Sequence, residues 1–258
     1  MSLSEITQKV FRLVEEASGL PVHVEPDSNL PKNILAKLTM ARGKMPFHQV
    51  TYRPDHWASA DYLIVYQCGF LLRHYAVPLS DRVDFASTDL AESTVGQWVR
   101  NNPKTPGLPQ NGIDGLTSFL INGILSQLSL VPVGLRVDSW ILKEYPELSA
   151  LQREAATKQL EENAAGLRPG VLGTLPDQAL AARLAMSAAF SIYWAEKFGQ
   201  PEISLPYRAT GHLATGQALF DLWRGFPDDP ASDQSLIHAW AAKLGLQGWY
   251  RWVHWPAS

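Results

Sequence analysis

The sequence predicts an α+β fold, with a small antiparallel sheet and one apolar helix in the first half and a mostly α-helical second half. Two observations carry this. Three short runs, Pro21–Glu25, Ala36–Ala41 and Phe47–Arg53, have the composition of short strands, and the last alternates with strand period. From Asp114 onward the pattern turns helical, in segments 114–128, 137–144, 147–165, 177–198, 210–224 and 233–244. The implied division is an α+β core over residues 1–110 and a helical region over 111–258 that completes a cleft and carries an aromatic-rich tail.

Taken in order, Glu5–Ala17 places Ile6, Val10, Phe11, Leu13 and Val14 near helical spacing, and Gly19-Leu20-Pro21 stops the helix. The second and third strand-like runs are joined across Arg42-Gly43-Lys44. In the third, Phe47, Gln49, Thr51 and Arg53 alternate with His48, Val50 and Tyr52, which gives one apolar, aromatic face and one polar face. Asp61–His74 reads as the next helix. Asn101–Gly112 holds three prolines and two glycines in twelve residues and reads as a loop. Among the later helices, Pro176-Asp177, Thr210 and Asp233 mark starts, and Gly199, Gly225 and Gly245 mark ends. No internal repeat of fixed period is present.

Composition narrows the function classes. A chain of 258 residues, 46% hydrophobic and 18% charged, can bury a real core. No run of 18 or more apolar residues and no signal-peptide pattern at Met1–Glu5 is found, so a cytoplasmic location without a membrane role is expected. A single cysteine, Cys68, excludes an internal disulfide framework. A net charge of −3 gives no general pull towards nucleic acid, and no phosphate-binding glycine pattern occurs. No cofactor is expected.

The residues with most to say lie in Asp61–His74. A zinc-peptidase helix carries His-Glu-x-x-His, two imidazoles at i and i+4 for the metal and a carboxylate at i+1 to activate water. Here the corresponding places hold Tyr66, Gln67 and Phe70. Neither ring supplies a nitrogen ligand, and Gln67 keeps the shape of glutamate without its basicity. These three form a degenerate motif, with no catalytic and no metal residue assigned. Cys68 and His74, six residues apart, do not share a helix face, and Cys68 reads as a small buried hydrophobe. His48, His56 and His74 are close enough in sequence to form a displaced metal site, though their spacing matches no standard signature. The pairs Arg73 with Asp61 and Arg136 with Asp138 are candidates for ion pairs or for a polar cleft. At the C-terminus Trp249, Tyr250, Trp252 and Trp255 form a candidate protein interface, with core packing as the simpler role.

The succession of strand, motif helix and loop, followed by Leu125-Ser-Gln-Leu128, Pro132, Arg136-Val-Asp138-Ser-Trp140 and Tyr145-Pro146-Glu147-Leu148, resembles the minimal gluzincin peptidases of the ImmA/IrrE type over roughly the first 150 residues. The resemblance implies a zincin-like core. It also implies a third metal ligand, often glutamate, from a helix corresponding to Asp114–Leu128, where this chain offers only Asn122, Ser126 and Gln127. The expected cleft would gather Arg73, Asn122, Gln127, Arg136 and Asp138. The reading that follows is a catalytically inactive, peptidase-like protein that binds a protein partner or sits in a larger complex, as a regulatory subunit in stress response or mobile-element defence. Two other classes stand beside it: a hydrolase with a relocated metal or a cysteine site, and a nucleic-acid-associated helical protein using the aromatic tail.

Overall fold

The computed structural model describes residues 3–31, 34–102, 107–168 and 175–255, and the fold is α+β. Helix α1 spans Glu5–Ser18. Ser4 caps it by accepting from the Thr7 N–H, Glu5 complements the helix dipole, and Gly19 closes it at φ 76° with its N–H returned to the Glu15 carbonyl. Three strands follow, β1 (Val22–Pro26), β2 (Ala36–Thr39) and β3 (His48–Tyr52), in spatial order β1-β3-β2.

This sheet is mixed, which corrects the antiparallel expectation. β1 runs parallel to β3, in register from Val22 opposite His48 to Pro26 opposite Tyr52, and only β2 is antiparallel. The chain leaves β1, forms β2 at the far side and returns through the middle, so the strand adjacent in sequence is not the one adjacent in space. The faces follow the predicted alternation, with His48, Val50 and Tyr52 buried and Gln49 and Thr51 partly exposed.

Helix α2 (Ala60–Ala76) follows a 3-10 segment at Pro54–Ser59. Next come β4 (Val83–Ser87), α3 (Asp89–Asn101) and α4 (Gln110–Glu144). The remaining elements are α5 (Ser149–Ala165), α6 (Asp177–Phe198), the single turn α7 (Pro206–Ala209), α8 (Leu213–Gly225), α9 (Asp233–Leu244) and β5 (Tyr250–His254).

Several of these depart from expectation. The two helices predicted at 114–128 and 137–144 are one helix running through Pro132. A proline there removes one backbone hydrogen bond, but Leu128, Val133 and Leu135 are buried on either side and the Trp223 indole donates to the Pro132 carbonyl at 3.1 Å. Helix α8 begins at Leu213 rather than Thr210, and the predicted loop gives way to helix at Gln110, with residues 103–106 outside the described set. The aromatic tail is strand β5, paired with β4 in a second, two-stranded sheet. Among the described residues one helix, α4, is long and apolar enough by length and composition to cross a membrane, and 44% of that stretch is buried inside the fold.

The chain divides into two compact units, and the boundary at residue 110 is not where it divides. The first comprises residues 1–82, 133–162 and 254–258, the second residues 83–132 and 163–253. In the first, Val10 and Val14 of α1, Val50 and Tyr52 of β3, Ile64, Val65, Cys68 and Leu71 of α2, and Val137 and Ile141 of α4 make one core. In the second, α6 supplies Met186, Tyr193 and Trp194, α8 Leu219 and Phe220, and α9 Leu236 and Trp240. Gly216 lets α8 approach α6 closely, since a Cβ there would stand 2.5 Å from that of Ala188.

Candidate functional site

Helix α2 is fixed at its start by Asp61. The Asp61 carboxylate accepts from the Ser4 N–H at 2.9 Å, from the Ser4 hydroxyl at 2.8 Å and from the Thr7 hydroxyl, which ties the first turns of α1 and α2 together. Arg73 sits twelve residues further on, about 18 Å along the axis at 1.5 Å per residue. The expected Asp61–Arg73 pair is therefore replaced by the link to α1.

Tyr66, Gln67 and Phe70 are all engaged with neighbouring groups. The Tyr66 ring meets Phe70 edge-on at 5.3 Å and tilts against Tyr62 at 5.8 Å. Gln67 donates from Nε2 to the Ala36 carbonyl at 3.4 Å, towards strand β2. The C-terminal part of α4 lies directly on this face through two glycines. A Cβ on Gly134 would fall 2.2 Å from the Tyr66 hydroxyl, and one on Gly69 would fall 2.4 Å from Val137 Cγ1. Van der Waals contact between the helices thus fills the space beside Tyr66 and Gly69. A working zinc site of the expected kind would need an open coordination position there.

Behind this contact lies a polar group that the sequence indicated only in part. Asp138 is buried, and its Oδ1 accepts from the Tyr62 hydroxyl at 2.8 Å and from Gln152 Nε2 at 2.8 Å. Gln152, buried on α5, also donates to the Asp138 main-chain carbonyl at 3.1 Å. Burial pushes the Asp138 carboxyl up to about 7, against the opposing pull of the two hydrogen bonds. The sequence-predicted partner Arg136 is buried as well, but two helical residues separate side chains by about 200°, and Tyr62 and Gln152 are what engage the carboxylate. Tyr62 and Gln152 were absent from the sequence-derived site. Their signal was indirect, a buried carboxylate in need of donors.

Of the remaining cleft candidates, Arg73 is half-buried in the first unit, whereas Asn122, exposed, and Gln127, half-buried, belong to the second. The five residues therefore do not gather within one unit. A surface hollow of about 340 Å³ in the first unit is lined by Lys9, Leu13, Leu72, Trp140, Glu144 and Tyr145, and none of the five lines it.

The histidines and the cysteine have structural environments. His48 is buried, accepts the Ala41 N–H on Nδ1 at 3.0 Å and packs edge-on against Tyr75 at 5.4 Å; burial lowers its pKa. His74 meets the same Tyr75 ring at 5.2 Å and the Trp255 ring at 4.4 Å. The His56 side chain lies outside the described set. Among the described residues no three His, Cys, Asp or Glu side chains converge as metal ligands. Burial pushes the Cys68 thiol up to about 12, so thiolate is scarce at neutral pH.

The C-terminal aromatics are mostly inside. Trp249, Tyr250 and Trp255 are buried and Trp252 is half-buried. In the second unit Phe85 of β4 stacks on Tyr250 at 4.3 Å and meets Trp252 edge-on at 4.9 Å. In the first, the Arg42 guanidinium lies over the Trp255 ring at 4.3 Å. Arg251 and Val253 remain exposed on β5.

No family model, curated protein or solved structure matches this chain.

Proposed function

We propose that this chain is a catalytically inactive, peptidase-like protein that works in the cytoplasm by binding a protein partner, as a regulatory subunit. The observation that carries the reading is the closed junction of α2 with α4. Tyr66, Gln67 and Phe70, which stand where an active zinc peptidase has its ligands and base, are engaged with neighbouring rings, a strand carbonyl and Gly134. Side chains committed to packing and hydrogen bonding make a scaffold, and the chemistry of a phenol, an amide and a phenyl ring supplies neither zinc ligands nor a general base. A thiol hydrolase at Cys68 is disfavoured by the same burial that raises its pKa. A role in stress response or mobile-element defence follows from the sequence resemblance alone.

The exposed edge of the aromatic tail is the partner surface in this reading, with Trp252 and Val253 as its apolar contacts. The test is native isolation of the chain from its own cells, compared with a Trp252→Ala, Val253→Ser double variant. Wild type is expected to carry one protein at fixed stoichiometry and the folded variant to lose it. A wild-type chain that emerges without a partner, or a complex indifferent to the double substitution, would contradict this surface.

A further inference from the structure

We infer that the hollow at the C-terminal end of α4 is a binding site for a free apolar amino acid, held as a zwitterion between Lys9 and Glu144 beside the ring of Tyr145. Its lining comes from α1 (Lys9, Leu13), from α2 (Leu72) and from α4 with the residue that follows it (Trp140, Glu144, Tyr145), all within the first unit. At about 340 Å³ it stands at the small end of ligand sites, which run from ~300 to 1,000 Å³. That suits a body the size of one residue.

The walls are apolar and one of them is rigid. Leu13, Leu72 and Trp140 are half-buried, each leaving part of an apolar side chain at the hollow. Trp140 meets Tyr145 edge-on at 5.1 Å, so the two rings fix each other, and Tyr145 is buried. Apolar walls with a small number of placed polar groups are the make-up of a small-molecule site. Here the polar groups are one ammonium and one carboxylate.

Both charges border the same ring. Lys9 Nζ lies over the Tyr145 face, 5.6 Å from its centroid. Among the described residues Lys9 has no carboxylate partner. Burial, and after it the Glu144 carboxylate, pushes the Tyr145 phenol up, so the field of Glu144 reaches the hydroxyl end of the ring. Glu144 also ends α4, and the negative end of a helix dipole favours a cation. Its ion pair with Lys143, at 3.0 Å, joins side chains 47% and 82% exposed, and a pair so open to water holds it weakly. A free apolar amino acid answers each of these groups at once: its carboxylate meets Lys9, its ammonium meets Glu144, and its side chain lies against Leu13, Leu72 and Trp140. A ligand with one charge would leave the other rim charge unanswered.

Calorimetric titration of the full chain with L-leucine at neutral pH tests this. Saturable binding of one molecule per chain is expected. N-acetyl-L-leucine lacks the ammonium and L-leucinamide lacks the carboxylate, and each should bind at least about fivefold more weakly than L-leucine. Lys9 and Glu144 are exposed, so Lys9→Met and Glu144→Gln should keep the fold, which circular dichroism verifies. Lys9→Met should weaken L-leucine to the same degree and leave L-leucinamide unchanged; Glu144→Gln should weaken L-leucine and leave N-acetyl-L-leucine unchanged. Absence of saturation up to about 10 mM L-leucine overturns the proposal, as does L-leucine binding that either substitution leaves intact. L-Leucinamide binding as tightly as L-leucine would mean the N-terminal residue of a peptide, and N-acetyl-L-leucine binding as tightly would mean a C-terminal one; both overturn it equally.

Discussion

Gly69→Ala is expected to destabilise the fold by about 1–3 kcal/mol, the usual range for forcing a methyl group into a filled core. Helix propensity alone predicts the reverse, since alanine in a helix interior is better than glycine by about 1 kcal/mol. The sign therefore reports on the junction. The new Cβ would stand 2.4 Å from Val137 Cγ1, and Val137 is buried, β-branched and stiff about χ1, so it has little room to yield. Val137→Ala in the same chain removes the obstructing methyls, and the double variant should be less destabilised than the two single changes added together. Urea denaturation of the four chains measures this. A neutral or stabilising Gly69→Ala would mean that α2 and α4 do not touch there. Gly134→Ala makes a gentler contrast, because the Tyr66 hydroxyl it meets is the far end of a half-buried side chain.

Asp138→Asn should remove a contribution to stability that is lost as pH rises through the weakly acidic range. Burial raises the folded-state pKa of Asp138 from 3.8 to about 7. Between those values the folded chain holds a proton that the unfolded chain has released, so this contribution is fully present below 3.8 and is lost as pH rises through about 7. Its size is on the order of a few kcal/mol. His48 acts in the opposite direction. Its pKa is lowered from 6.5 by burial, so its contribution is present above 6.5 and is lost as pH falls. The Asp138 contribution by itself declines from about pH 4 to 7. Asparagine cannot titrate yet leaves an oxygen to accept from Tyr62 and Gln152, so the stability of the variant relative to wild type should rise with pH towards neutrality. Denaturation midpoints across this range decide it, and superimposable profiles would contradict the assignment.

Much of the fold was legible where local physics decides it. The apolar spacing of Val10 and Val14, the alternation of His48, Val50 and Tyr52, and the stops at Gly19, Gly199 and Gly245, all three at positive φ, appear in the structure as the sequence predicts. What escaped depends on partners distant in sequence. Pro132 reads as a break, but packing and the Trp223 indole bond keep α4 continuous through it. The parallel pairing of β1 with β3 leaves no local trace. Tyr250–His254 is too dense in aromatics to show which face would be buried, and Phe85, the ring that decides this, lies on an unpredicted strand. Helix α3 did carry a signal, the Thr88 cap followed by Asp89 and Glu92 and by Ala91, Val95 and Val99 on one face.

The candidate site divides in the same way. That Tyr66, Gln67 and Phe70 offer neither zinc ligands nor a general base is written in the residues themselves. That Gly69 and Gly134 seal this face could not be read there, since a glycine's meaning lies in what approaches it. Gln152 resembles any polar residue on a helix surface until α5 turns it inward to Asp138.

The most direct test of the scaffold reading is calorimetric titration of zinc into the full chain, purified without a histidine tag. No saturable, stoichiometric site is expected, because Tyr66, Gln67 and Phe70 offer no ligand set and His48 is held in the core by Ala41 and Tyr75. One zinc bound tightly per chain, and lost on replacing His48 or His74, would contradict the account and make this protein a metalloenzyme candidate.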